Sequence, residues 1–186
     1  TALGLDRIAT HEHGLLAYAT EKLSALNDVR IFGTAPDKAA ITVRMLLTHR
    51  GGLEAFAPLW KDTRGRADYL AKINARPLAN PPGTKMVYSD WDFILMQDII
   101  ERITGTTLDA FVGARVFGPL GMTSTRFLPD TTNPALMRRI APTELDSLRG
   151  QIHGTVHDPN AWALGGVSGH AGLFSDARDL AVFVQM

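Results

Sequence analysis

The chain has 186 residues, 45% hydrophobic and 20% charged, with 19 Lys plus Arg balanced by 19 Asp plus Glu. A net charge of zero without a basic stripe excludes a dedicated nucleic-acid binder, and no apolar run approaches the roughly 20 residues that cross a bilayer. With no cysteine, disulfides, thiolate metal sites and thiol catalysis are excluded.

The opening TALGLDRIATHEH lacks a basic stretch followed by an apolar one, so no signal peptide is expected, and the chain as it stands reads as soluble and cytoplasmic. Apolar residues at Leu5, Ile8, Leu15, Leu16, Ala19, Leu23 and Leu26 predict an amphipathic helix over 5–26. VRIFG (29–33) reads as a short strand, and GTAPDKAA (33–40) as a loop. In ITVRMLLTH (41–49), Thr42 is placed to cap a short helix carrying Met45, Leu46 and Leu47, which Arg50-Gly51-Gly52 would stop.

Residues 66–75 form a further, weaker helix pattern, and Asn80-Pro81-Pro82-Gly83 predicts a turn. TKMVY then runs extended into a helix capped by Ser89 or Asp90 and stopped at Gly105, with Met96, Ile99, Ile100 and Ile103 as its buried stripe. Thr106 or Thr107 starts another helix that ends before Gly118-Pro119. Residues 121–160, rich in Thr, Pro, Asp and Gly, predict a long irregular segment. Ser175 is expected to cap the last helix.

Two stretches resemble known families. GLDRI, HEHGLLAYATEKLSAL and VRIFGTAPDKAA, within residues 1–40, resemble the small C-terminal domain of cysteine desulfurases, pyridoxal-phosphate enzymes of the class V aminotransferase group. That resemblance brings no active site: the cofactor lysine belongs to the large domain, and a persulfide needs a cysteine. ITVRMLLTHRGGL, NPPGTKMVYSD, FILMQDIIERITGTTLDAFV, RVFGPLGMTSTRFLP, HDPNAWALGGVSGHAGLFS and ARDLAVFVQM, within 41–186, resemble the serine beta-lactamase-like hydrolases: class C beta-lactamases, DD-peptidases and esterases. Together the two imply a chimera, engineered, recombined or misassembled, with its seam near Lys38-Ala39-Ala40-Ile41.

The hydrolase resemblance implies acyl transfer by a three-part machine. A Ser-x-x-Lys motif puts nucleophile and base on one helix face. A Tyr-x-Asn motif relays the proton, and a third motif helps form the oxyanion hole. Tyr88-Ser89-Asp90 matches the second motif with Asp in place of Asn, so a group that donates and accepts becomes one that only accepts. A phenol titrates near pH 10, so Tyr88 would need a neighbouring cation to act as a base. The other reading of Tyr88 is a packed tyrosine beside a capped helix.

No serine here has lysine three places on: Ser24, Ser89, Ser124, Ser147, Ser168 and Ser175 are followed by Asn27, Asp92, Phe127, Gly150, Ala171 and Arg178. The third motif is also not found in the 186 residues. His153, His157 and Asp158 have metal-ligand residue types but read as solvated loop residues. His170, between glycines, either lines a pocket or marks a turn. His11 and His13 read as surface residues, and His49 as part of a helix stop.

The expectations are an alpha-rich α+β fold: a partial beta-lactamase-like helical lobe with a grafted N-terminal helix and strand. The chain divides into residues 1–40 and an incomplete hydrolase segment 41–186, or merges into one domain. By ancestry the function is that of a serine hydrolase, catalytically incomplete. The alternative is a chimera with no enzymatic role, and a pyridoxal-phosphate remnant stands further off. Tyr88 and Asp90 are the candidate catalytic residues, and His170 and Gly172 the candidate substrate-binding residues. No metal, cofactor, nucleic-acid or membrane partner is expected. Apolar surface left by the missing sheet would drive self-association.

Overall fold

The computed structural model describes residues 36–186. The helix expected over 5–26 and the strand over 29–33 lie outside the described residues. Seven α-helices dominate: α1 (Val43–Leu47), α2 (Arg66–Ala75), α3 (Asp90–Thr104), α4 (Leu108–Val112), α5 (Pro134–Met137), α6 (Pro159–Ala163) and α7 (Ala177–Val184). The described sheet is one antiparallel hairpin, β1 (Glu144–Asp146) with β2 (Gly150–Ile152), which pairs Leu145 with Gln151. A single bridge joins Arg126 to Phe174. This is the alpha-rich α+β architecture expected, with little sheet.

Helix α3 is the hub. Trp91, Ile94, Leu95 and Ile99 pack with Leu46 of α1, Tyr69 and Ile73 of α2, and Leu53, Leu59 and Ala163. The expected stripe is met in part: Met96 and Ile99 are buried, but Ile103 is exposed and Ile100 only half-buried, while Trp91, Ile94 and Leu95 are also inside. Gly105, at φ 64°, ends α3 as expected.

A buried polar chain ties the helices around this hub. The Tyr69 hydroxyl donates to Asn160 Oδ1 (3.0 Å), and Asn160 Nδ2 donates to the Ala57 carbonyl (3.1 Å). Burial pushes the Tyr69 phenol up to about 12, so it remains a donor at any ordinary pH. Lys38, before the expected seam, is also buried and donates to the Asn74 carbonyl at the end of α2.

Capping accounts for most helix starts. Thr42 accepts from Met45 N, as the sequence suggests. At α7 the cap is Asp176, accepting from Asp179 N, and not Ser175. The Ser175 hydroxyl instead bonds Thr125 Oγ1 (2.8 Å). The helix after Thr107 relaxes into a π-helical turn over Gly113–Phe117. The segment expected to be irregular over 121–160 contains α5, the hairpin and the start of α6. Asn133 and Asp158 cap the two short helices, each with proline at its start.

Candidate active site

The segment Val87–Asp90 is clasped along its length by residues 49–55. Val87 N donates to His49 O (2.8 Å), Ser89 N to His49 Nδ1 (3.1 Å) and Asp90 N to Ala55 O (3.1 Å). The Ser89 hydroxyl donates to Glu54 O (2.6 Å). Four bonds in four residues fix the segment although it belongs to no sheet. Ser89 is the N-cap of α3 by position only, since its hydroxyl is turned to Glu54. The Tyr88 ring projects to solvent with 69% exposure and rests on the His49 imidazole, ring centroids 4.5 Å apart.

Asp90, the first residue of α3, meets His170 and Asp158. One ligand atom from each lies within 4.8 Å of the others. His170 is held at both nitrogens, Nδ1 by Ser168 Oγ (2.7 Å) and Nε2 by Asp158 Oδ1 (2.9 Å), and its side chain is 6% exposed. Asp158 also accepts from Ala161 N (2.7 Å) as the cap of α6. Burial pushes the Asp158 carboxyl up, but the bonds from His170 and Ala161 outweigh it and leave it below the ordinary range. Burial pushes Asp90 up, with His170 pulling the other way. Asp90, Asp158 and His170 are the residue types that could hold a divalent cation. The Asp158 and His170 contacts are accounted for by the cap and by the Ser168–His170–Asp158 chain.

The sequence-derived residues therefore divide. Asp90 and His170 come together with Asp158 at the start of α3, while Tyr88, two residues before Asp90, rests on His49. His170 is a buried, doubly bonded ring rather than a free pocket lining. Gly172 lies elsewhere, in the wall of a cleft of about 540 Å3 with Arg126, Arg139, Val156, Asp158 and Phe174. Its φ is 112° and an added Cβ would fall 2.5 Å from the Gly166 carbonyl oxygen, so only glycine fits. Asp158 joins cluster and cleft. His153 Nε2 donates to the carbonyls of Met137 and Ile140, and His157 pairs with Glu144. The grouping of His153, His157 and Asp158 therefore does not form. Sequence reasoning missed His49, which it took for a helix stop, and Asp158 in its actual company. The signal for Asp158 was its place before Pro159, where an aspartate caps a helix.

The exposed phenol at a helix start, backed by an imidazole and flanked by a carboxylate–histidine cluster, defines a polar acid–base site on a helical lobe. A beta-lactamase family model matches residues 10–186, and the chain belongs to that family. The match runs without a break across residues 38–41, and nothing in the comparisons supports a desulfurase segment or a chimera. A putative D-alanyl-D-alanine carboxypeptidase of Escherichia coli (strain K12) is 35% identical over 206 residues, covering 97% of this chain and 43% of the relative. One from Salmonella paratyphi B is 41% identical over 140 residues, 67% of this chain and 32% of the relative. Among solved structures, D-amino acid amidase from Ochrobactrum anthropi SV3 aligns at TM-score 0.60 and 25% identity, over 81% of this chain and 44% of that one. A beta-lactamase/D-alanine carboxypeptidase from Yersinia pestis aligns at TM-score 0.60 and 20% identity, over 86% and 42%, and so shares the fold. The chain spans less than half the length of these relatives.

Proposed function

We propose that this chain is the part of a serine acyl-transfer hydrolase that carries the proton-relaying phenol, acting on an amide of the D-alanyl-peptide class. Tyr88 relays the proton, and Asp90 and His170 form the polar wall beside it. The observation that carries the reading is the clasped, solvent-facing Tyr88 at the start of α3, within the stretch matched to the beta-lactamase family. The names of the carboxypeptidase relatives support the substrate class.

The reading requires a serine nucleophile with its lysine, and none of the six serines here is so placed. It treats residues 10–186 as one unit, which the unbroken family match and the burial of Lys38 support. The test joins a Ser-x-x-Lys-bearing segment of a family member ahead of the described residues and that member's third-motif segment after them, and assays D-alanine release from an acyl-D-alanyl-D-alanine peptide. Release by the joined protein and none by the 186-residue chain is expected. A folded joined protein that releases no D-alanine contradicts the reading.

A further inference from the structure

His49 is built more tightly than a helix stop requires. It holds φ at 54°, the left-handed region, which costs a residue with a Cβ roughly 1–2 kcal/mol. Its surroundings over-determine that geometry. The carbonyl takes Val87 N–H, and the ring lies between Tyr88 (4.5 Å between centroids) and Phe93 (5.1 Å). Nδ1 faces both Ser89 N (3.1 Å) and Asp92 Oδ2 (3.2 Å).

These contacts constrain the protons. Ser89 N–H can only donate, so Nδ1 must accept and the imidazole must carry its hydrogen on Nε2. An ionised Asp92 would then point a lone pair at a lone pair. Asp92 is 1% exposed and its Oδ1 has no partner. Gly51 closes that side, since even a Cβ there would stand 2.6 Å from Oδ1. The arrangement is satisfied when Asp92 Oδ2 holds a proton and donates it to Nδ1, sharing the acceptor with Ser89.

We propose that His49 is a positioning residue for Tyr88, working as a neutral imidazole whose Nδ1 anchors Ser89 while the buried Asp92 carboxyl holds the one proton of the pair. Moving that proton to Nδ1 would make an imidazolium–carboxylate pair and turn an N–H against Ser89 N–H. Removing it would leave a carboxylate facing the Nδ1 lone pair. Either change loosens the Tyr88 segment. Burial works in the required directions, raising Asp92 to about 7 and lowering His49. The charges facing the pair are few. Asp90, on the first turn of α3, pulls His49 upward and is itself faced by His170 and Asp158. Arg50 is directed at the Gly83 carbonyl and Glu54 is paired with Arg76. The consequence for catalysis rests on the hydrolase reading; the placement of the proton does not.

The test is nitrogen-15 NMR of the full chain, which needs no turnover. At about pH 6, His49 Nδ1 should be unprotonated and Nε2 protonated. The Ser89 amide resonance should titrate with a midpoint near Asp92's value of about 7, and Asp92→Asn should abolish that titration. His49→Asn should keep Ser89 protected from hydrogen exchange, because asparagine tolerates positive φ and offers an acceptor oxygen near the Nδ1 position. His49→Ala should lower the protection about tenfold or more, equivalent to one lost anchoring bond. Should His49→Ala not fold, the Asp92→Asn and His49→Asn results still decide. A protonated Nδ1 near neutrality, or a Ser89 titration unchanged in Asp92→Asn, overturns the proposal. The predicted NMR result without Tyr88-dependent acylation would leave His49's role standing and remove the hydrolase reading.

Discussion

Asp92 shows how one buried group sets a pH dependence. Its carboxyl is raised to about 7 from an ordinary 3.8. Between those values the folded chain holds a proton that the unfolded chain has released, so stability falls as pH rises through that window. At 1.36 kcal/mol per pH unit the full penalty is on the order of 4 kcal/mol above neutrality. Asp92→Asn replaces the carboxyl with an amide that can still donate to His49 Nδ1. The variant should be more stable than the parent at about pH 8, should differ little near pH 4, and should show a flatter profile between. Urea unfolding at several pH values measures this directly, and a variant less stable than the parent at pH 8 would show that burial does not raise the Asp92 carboxyl. Nothing in the sequence marked this group, because an aspartate at the third position of a helix reads as an ordinary favourable N-terminal charge. Its burial comes from Gly51 and His49, some 40 residues away in the chain. Tyr88, by contrast, was legible from its motif, since the turn before it and the helix after it both have local signatures.

At the scale of elements, helix ends were readable where a short-range signal fixes them. Thr42, Gly105 and Thr107 all sit at the boundaries expected from their side chains and backbone preferences. The buried face of α3 was readable at Met96 and Ile99, but not where it extends to Trp91, Ile94 and Leu95 instead of Ile100 and Ile103, because that depends on how other elements dock. At α7 the sequence pointed to Ser175 as the cap, but Thr125 takes the serine hydroxyl and Asp176 caps instead. Asp176→Ala should therefore destabilise the chain by about 1 kcal/mol through loss of the cap, measurable by denaturant unfolding. The segment 121–160 hid its structure because its helices and hairpin strands are three to five residues long, too short for any periodicity to show. Asn160 joins α2, α6 and the Ala57 carbonyl at full burial. Removing its side chain leaves a hydroxyl and a carbonyl unpaired, so Asn160→Ala should cost about 3 kcal/mol. A loss below about 0.5 kcal/mol would mean that the network contributes little to holding α6 in place.

At the scale of the whole molecule, the described residues form a helical lobe around α3 with one short hairpin and no helix long and apolar enough to cross a membrane. Leu180, Phe183 and Val184 on α7 are exposed. The Tyr88 segment stays fixed without strand neighbours because residues 49–55 supply the bonds that a sheet would otherwise give. On the hydrolase reading proposed above, this clasp presents Tyr88 as the proton relay of an acyl-transfer site. The most direct measurement is the rate of covalent adduct formation with penicillin, followed by intact mass, on the joined protein carrying Tyr88 or Tyr88→Phe. Stoichiometric acylation is expected, slowing about 100-fold or more in Tyr88→Phe, within the range for loss of a general acid–base group. Equal acylation rates in the two folded proteins would contradict it.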